Sequence, residues 1–326
     1  MFRSVQFTSD KGLGKVAVAA FGLGFAMALH VALLAYAYLV GPLSASEAAK
    51  RVNARSSGGH LDALYYARWE CLALWCLYVI ALCFFHLSEF MVTASFRPSI
   101  VSYESFLLNH SREYHIALTG SCVEFWLEFY LTPAWKLHTS VLVAGILIVC
   151  FGQSFRIAAM ATAASNFSHR IEYQKRQEHV LVTHGVYKFV RHPSYLGWFA
   201  WTIGSQVLLG NPVCGIGYTI VSWGFFRDRI PYEEHLLLNF FPEEYPKYKA
   251  RTISGIPLRT SYSDHDGFIL LEKSEKSLKK REASKVAGAD DASSAVSDTE
   301  AGGIAFGITG NCSRPPCTIF NHMREN

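Results

Sequence analysis

The sequence has little charge. Of its 326 residues only 17% are Asp, Glu, Lys or Arg, against about 25% in an average soluble domain. The net charge of +4 is too small to indicate a nucleic-acid partner. Charged residues are absent from 16–46 and from 192–226, and these blocks show no alternation of apolar and polar residues. A polytopic, all-α membrane helix bundle is therefore expected, because a lipid-embedded backbone without strand alternation must satisfy itself as helices.

The sequence also lacks the usual signatures of metal and nucleophile sites. Its eight cysteines stand at irregular spacings, which match neither a zinc site nor a disulfide framework. Three histidines, His179, His184 and His192, lie close together, but their spacings of five and eight residues do not share one helical face. No metal site is expected. No arrangement typical of a Ser-His-Asp or Cys-His nucleophile stands out.

The apolar blocks predict about six membrane-spanning helices, each of roughly 20 residues. The block from 192 to 226 is too long for one span, and Gly210-Asn211-Pro212 interrupts it. Because glycine commonly ends a helix and proline cannot continue one, this block is expected to form a helical hairpin. The expected spans are 16–40, 69–87, 115–131, 137–155, 192–209 and 213–227, with 88–110 as a short or re-entrant element.

Three regions are expected along the chain. Residues 1–110 hold the N-terminal spans, and 111–259 form the membrane core. Residues 260–326 are rich in Ser, Ala, Lys and Asp with few large apolar side chains, which predicts a disordered tail. The basic segments 156–191 and 227–259 flank the hairpin, so they lie on the same side of the membrane. Their Lys and Arg content places that side in the cytosol.

The candidate site lies where the hairpin brings these two segments together. Charged residues at a membrane edge are functional candidates by default, although simple anchoring at the interface is the alternative. Pro193 suits the first turn of a helix, so His192 stands where a polar segment meets an apolar one. The candidates are His179, Tyr187, Arg191, His192 and Tyr195 before the hairpin, and Arg227, Asp228, Arg229, Glu233 and Glu234 after it.

The motif "HVLVTHGVYKFVRHPSYLGW", followed by "FFRDRIPYEEHLLLNFFPEEYPKYK", resembles the protein-S-isoprenylcysteine O-methyltransferase family. The upstream stretches "FHLSEFMVTASFRPSIVSYESFLLNHSREY" and "AAMATAASNFSH" resemble it too, so the resemblance covers roughly 80–257. It implies methyl transfer from S-adenosylmethionine to the α-carboxylate of a prenylated C-terminal cysteine in CaaX proteins such as small GTPases. It also implies a multi-pass protein of the endoplasmic reticulum membrane, with its active site facing the cytosol.

The resemblance also implies roles for individual residues. Arg229 corresponds to the substrate-positioning, catalytic arginine. Two departures from the family pattern are visible: Glu172 stands where the family has Gln, and Pro231 lies between Arg229 and Glu233, where a kink or a restart of the helix is expected. The implied cofactor contacts are Glu172, His179, Val180, Leu181, Val182, Tyr187, His192, Pro193, Ser194, Tyr195 and Glu233.

The implied chemistry needs no general base, because a C-terminal carboxylate with a pKa of about 3.5 is ionised at pH 7. The protein must position the carboxylate and exclude water, and the planar fork of Arg229 suits that task. Two alternatives remain. A phospholipid N-methyltransferase would use the same cofactor on an amine, and a non-catalytic membrane scaffold would keep the fold without the reaction.

Overall fold

The computed structural model describes residues 12–56, 60–109 and 111–257. Within those ranges every regular element is helical, apart from one parallel β-bridge between Val190 and Ile253. The predicted tail, 260–326, lies outside the described residues. The α-helices are α1 (Leu13–Leu39), α2 (Ala48–Ser56), α3 (His60–Phe96), α4 (Arg112–Leu131), α5 (Thr139–Ala163), α6 (Pro193–Leu209), α7 (Pro212–Phe240) and α8 (Glu244–Arg251).

Three helices of the described chain are long and apolar enough to cross a membrane: α1, α3 and α5 with its short 3-10 extension. The other three expected spans are also helical. However, α4 contains Glu124 and Glu128, α6 has only 17 residues, and α7 becomes charged from Arg227 onward. The all-α membrane architecture is confirmed, and the strongest span signals number three rather than six.

Helix α3 is longer than the sequence predicts. Its 37 residues continue to Phe96, so the expectation that 88–110 forms a separate element is wrong for its first part. The helix ends where Arg97-Pro98 begins, as a proline requires of the residue before it. At about 1.5 Å per residue the helix is about 55 Å long, which exceeds the hydrocarbon thickness of about 30 Å. A short 3-10 helix, Tyr103–Phe106, follows.

The predicted hairpin is formed by α6 and α7. Gly210 ends α6 in the left-handed conformation with φ of 63°, and Pro212 is the first residue of α7. The buried side chain of Lys136, which lies between α4 and α5, stabilises the turn. Its Nζ donates to the Leu209 carbonyl at 3.1 Å and to Asn211 Oδ1 at 2.9 Å. Lys136 thus stabilises the turn at which α6 ends and α7 begins, at the opposite end of the hairpin from the pocket.

Glu124, which lies in an apolar stretch of α4, has a structural role. Glu124 accepts hydrogen bonds from the backbone amides of Val213 at 2.8 Å and Cys214 at 2.7 Å. These amides belong to the first turn of α7, which has no helical acceptors for them and carries a partial positive charge. Glu124 therefore caps α7 and joins α4 to the hairpin.

Helices α5 and α6 pack closely because glycines line their contact. A Cβ added at Gly152 would lie 2.5 Å from the Trp201 amide nitrogen, and one added at Gly197 would lie 2.7 Å from the Arg156 amide nitrogen. Small residues allow helix backbones to approach in this way inside membranes. The contact matters for function, since α5 ends and α6 begins beside the pocket described below.

The Gly152→Ala variant is expected to lose about 1–3 kcal/mol of stability, because the added methyl group overlaps the backbone of α6. The matched control is Gly217→Ala in α7, where no described atom lies within 4 Å of an added Cβ. There the gain in helix propensity, about 1 kcal/mol, should dominate. Thermal unfolding in detergent measures both variants. Equal unfolding temperatures for the two would contradict the close contact.

Candidate active site

A pocket lies where the irregular segment after α5 meets the start of α6, the end of α7 and the first turns of α8. All four elements contribute to its wall. Irregular backbone next to membrane helices is tolerated where it is buried in protein or lines a cavity. The lining residues are Ala163, Asn166, Phe167, Ser168, His179, Val180, Leu181, Val182, Tyr187, Arg191, His192, Pro193, Ser194, Tyr195, Glu233, Leu237, Phe241, Tyr245 and Tyr248.

Most of the predicted site residues meet in this pocket. Two of the residues implied by the resemblance, Glu172 and Arg229, are not among its lining residues. Arg227 and Asp228, which the sequence also offered as candidates, form an exposed pair at 3.1 Å, with side chains about half accessible. Eleven predicted residues line the pocket: His179, Val180, Leu181, Val182, Tyr187, Arg191, His192, Pro193, Ser194, Tyr195 and Glu233.

The Arg-His-Pro triplet stands at the start of α6, as the sequence predicts. Pro193 is the first residue of the helix, and His192 immediately precedes it. The His192 ring is buried and stacks on Tyr195, with ring centroids 5.4 Å apart and planes within 4°. The triplet thereby places two rings side by side at the pocket wall.

Glu234 ties α6, α7 and α8 together behind the pocket. Its carboxylate lies 2.8 Å from Arg191 Nε, 2.8 Å from Lys249 Nζ and 3.3 Å from His192 Nε2. Burial alone would raise the pKa of Glu234, but the hydrogen bond and charge of His192, with the contacts to Lys249 and Arg191, hold it well below its usual range. Glu234 is therefore an anchor in its ionised form.

Arg229, Tyr195 and Glu233 form one connected array. Arg229 Nε donates to the Tyr195 hydroxyl at 2.9 Å, and that hydroxyl donates to Glu233 Oε2. Arg229 Nη2 donates to the His169 carbonyl at 2.9 Å. Among the described residues, Arg229 Nη1 has no hydrogen-bond partner. The guanidinium is thus fixed on two sides while one nitrogen remains available to a ligand.

Helix α7 runs through Pro231 without the restart that was one of the two expected outcomes. Proline removes one hydrogen bond to the carbonyl four residues earlier, which belongs to Arg227. The continuous helix brings Arg229 and Glu233, four residues apart, to the same hydroxyl.

Glu172, the residue that departs from the family pattern, pairs with two arginines. Its Oε1 lies 3.3 Å from Arg97 Nη1 and its Oε2 lies 2.5 Å from Arg176 Nε. Arg97 Nη1 also donates to the Phe167 carbonyl at 2.9 Å. The extra negative charge is thus compensated within the protein, and it fastens the irregular segment to the end of α3.

A buried charge network that the sequence did not single out supports the site. Glu89, only 1% exposed, accepts from Arg156 Nη2 at 2.9 Å and from His169 Nε2 at 2.7 Å. Arg156 Nη1 in turn donates to Ser194 Oγ at 3.0 Å. The network therefore joins the pocket wall at Ser194 to the residue whose carbonyl holds Arg229. The pairing spans 67 residues of sequence, so no local pattern reveals it.

Sequence reasoning also missed the aromatic wall of the pocket. Phe241, Tyr245 and Tyr248 are buried and form one apolar cluster with Leu181 packed against it. Their spacing of four and three residues is the signal that could have found them, since it repeats on one helical face.

Together, these features define a multi-pass helical membrane protein with a polar pocket at the end of an apolar hairpin. A model of the isoprenylcysteine carboxyl methyltransferase (ICMT) family matches residues 144–239. Protein-S-isoprenylcysteine O-methyltransferase of Saccharomyces cerevisiae is 44% identical over 187 residues, which cover 56% of this chain and 78% of that relative. The chain belongs to this family.

Two further comparisons find members of the same family. The protein of the same name from Xenopus laevis is 51% identical over 180 residues, covering 55% of this chain and 62% of that relative. The match thus spans less than two thirds of the Xenopus relative's length. A solved structure described as the eukaryotic intramembrane Ras methyltransferase ICMT is 36% identical, with a TM-score of 0.57. It covers 74% of this chain and 86% of that one.

Proposed function

We propose that this chain transfers the methyl group of S-adenosylmethionine to the C-terminal α-carboxylate of a prenylated cysteine, forming a methyl ester. The acceptors are CaaX proteins carrying a farnesyl or geranylgeranyl chain, and small GTPases are the expected group. The protein acts in the endoplasmic reticulum membrane, with its pocket facing the cytosol. The names of the relatives support the prenylcysteine acceptor, and the charge of the segments around the hairpin supports the cytosolic side. The methyl donor, the small GTPases and the endoplasmic reticulum rest on the family resemblance of the sequence.

The observation that carries the proposal is the array of Arg229, Tyr195 and Glu233. A single tyrosine hydroxyl connects a cation and a carboxylate at the edge of one pocket. Carboxyl methylation needs these two opposite charges close together, because the acceptor is an anion and the donor carries cationic groups. Arg229 suits the first and Glu233 suits the second.

The residues present fit S-adenosylmethionine. Among the described residues, His179 Nδ1 and the Tyr245 hydroxyl are buried without a hydrogen-bond partner, and both side chains line the pocket. Buried polar groups are almost always paired in native proteins. A ligand with several polar edges would satisfy them. Glu233 would hold the ammonium or the ribose hydroxyls, and the segment His179 to Val182 with Tyr187 would hold the adenosyl part.

Positioning is the main task of the protein in this reaction. When bound, S-adenosylmethionine would supply an electrophilic methyl group, and the acceptor carboxylate would be the nucleophile. Arg229 orients the carboxylate with its available Nη1. The Arg229 pKa stays above its usual value: burial lowers it, but the neighbouring Tyr195 and Glu233 raise it more. Alignment of two bound reactants is worth roughly 7–11 kcal/mol.

The membrane setting accounts for the prenyl chain. Helices of the described bundle carry many exposed apolar side chains, including Ile216 and Ile220 on α7. A prenyl group leaving the bilayer exchanges one apolar environment for another, so little binding energy comes from its transfer alone. Shape and the contact between Arg229 and the carboxylate would supply the selectivity.

The test is a panel of methyl acceptors presented to membranes that contain the full chain. Labelled S-adenosylmethionine is supplied with N-acetyl-S-farnesylcysteine, with the same compound as its C-terminal amide, or with phosphatidylethanolamine. Base-labile label is expected with the acid alone. The amide is the matched control, because it keeps the lipid and removes only the nucleophile.

The other outcomes separate the alternatives. Base-stable label on phosphatidylethanolamine would contradict carboxyl methylation and establish an amine methyltransferase. No transfer to any acceptor, with the protein folded and present in the membrane, would contradict both enzymatic functions and favour the scaffold.

A further inference from the structure

The wall of the pocket formed by α7 and α8 has an unusual composition. Tyr245 is fully buried, and Phe241 and Tyr248 are 6% and 3% exposed. Leu181, from the irregular segment on the other side, packs against this cluster. The wall is therefore aromatic and apolar, and it suits a flat uncharged ring better than a charged chain.

Two polar atoms interrupt this apolar wall. The Tyr245 hydroxyl and His179 Nδ1 are both buried, and neither has a hydrogen-bond partner within the described part of the chain. The His179 ring lies edge-on to Phe241, with centroids 5.4 Å apart. By contrast, the Tyr248 hydroxyl on the same helix donates to the Tyr187 carbonyl at 2.7 Å. The unpaired state is thus specific to the two atoms and is not a general property of the wall.

Both groups are neutral near pH 7. Burial raises the pKa of Tyr245, and burial lowers the pKa of His179. A neutral phenol offers one donor and two acceptor positions, and a neutral imidazole offers one of each. The wall thus presents uncharged hydrogen-bonding groups, whereas Glu233 and Arg229 present the charged ones.

We propose that Tyr245 is a further cofactor-binding residue, whose hydroxyl hydrogen-bonds the edge of the adenine base and orients the adenosyl group. This inference rests on the proposed function, because it takes the ligand to be S-adenosylmethionine. Adenine combines a flat apolar face with a donor and acceptors along its edge. The aromatic wall suits the face, and the unpaired hydroxyl and imidazole nitrogen suit the edge.

The Tyr245→Phe variant tests this inference because it deletes one hydroxyl and keeps the ring. Binding of S-adenosylhomocysteine to the full-length purified chain is expected to weaken by about tenfold, the usual effect of leaving a polar partner unpaired. Stability without ligand should not fall, because no described residue bonds to that hydroxyl. Tyr248→Phe is the matched control: it breaks the bond to Tyr187 and should lower the unfolding temperature.

Analogues locate the contact on the base. Four analogues of S-adenosylhomocysteine are used, one lacking the exocyclic amino group and three with carbon in place of N1, N3 or N7. Tyr245→Phe is expected to weaken at least one of them much less than it weakens the parent compound, since the partner atom is already missing. Equal weakening of all five ligands would overturn the base-edge contact.

The measurements distinguish a failure of the Tyr245 inference from a failure of the proposed function. If the wild type binds S-adenosylhomocysteine and Tyr245→Phe binds it equally well, the inference is overturned while the proposed function stands. If Tyr245→Phe loses stability without ligand and keeps its affinity, the hydroxyl is structural and the inference is again overturned. If the wild type binds no adenosyl ligand, the cofactor assignment itself fails.

Discussion

Replacing Arg229 with alanine is expected to lower kcat/KM for methyl transfer by about 100- to 1,000-fold, the usual effect of removing one preorganised electrostatic contact. Affinity for S-adenosylhomocysteine should change by no more than about threefold. The reason is geometric. Arg229 is not a lining residue of the pocket and reaches it only through the Tyr195 hydroxyl. In the proposed function, its Nη1 binds the acceptor carboxylate and does not bind the cofactor.

Two matched variants sharpen this test. Arg227→Ala removes a cation of the same helix that is about half exposed and pairs only with its neighbour Asp228 among the described acidic residues. It should keep nearly full activity. Arg229→Lys keeps the charge but loses the planar fork, so an intermediate rate is expected. Transfer rates and ligand affinities measured on the same purified samples show whether Arg229 acts on the acceptor or on the cofactor. Equal losses of affinity and rate in Arg229→Ala would refute the assigned role.

The second large effect is expected from Glu89→Gln. This change should lower the free energy of unfolding by about 3–5 kcal/mol, because it leaves the buried Arg156 guanidinium without its counter-charge. Glu70→Gln on the same helix is the matched control. Glu70 pairs at 2.5 Å with Arg55, whose side chain is 59% exposed, and such exposed pairs contribute at most about 1 kcal/mol. Thermal unfolding in detergent compares the two variants.

A double variant separates stability from positioning. Replacing both charges with apolar residues of similar size, Glu89→Leu with Arg156→Met, should recover much of the lost stability, since no unpaired charge remains. The rate of methyl transfer by the double variant should remain below that of the wild type, because Ser194 loses the donor from Arg156 and His169 loses its acceptor. Recovery of stability and activity together would show that the network has no positioning role.

The fold was largely predictable because a membrane helix is recognised from its own stretch of sequence. An apolar block of sufficient length forms a helix wherever it lies, and Gly210-Asn211-Pro212 marks the hairpin turn by backbone chemistry alone. Helix ends were less predictable. The extension of α3 to Phe96 was missed although Arg97-Pro98 marks its end, and the passage of α7 through Pro231 runs against the local preference of proline.

The lining of the candidate pocket was predictable where the resemblance supplied contiguous motifs. His179 to Val182 and His192 to Tyr195 are consecutive residues, and all of them line the pocket. Long-range partners were not predictable. Nothing near Glu172 in sequence indicates that Arg97 compensates its charge, and nothing near Glu89 indicates Arg156 as its partner. Such pairs depend on how the helices are arranged.

The pocket between the irregular segment, α6, α7 and α8 is the proposed methyl-donor site. The most direct test is ultraviolet cross-linking of labelled S-adenosylmethionine to the full chain, followed by tryptic mapping with excess unlabelled compound as competitor. Competed label is predicted in peptides 177–188, 192–227 or 230–247, which contain His179 to Tyr187, His192 to Tyr195 and Glu233 to Tyr245. Competed label confined to other peptides, such as those of α1 or α3, would contradict the claim.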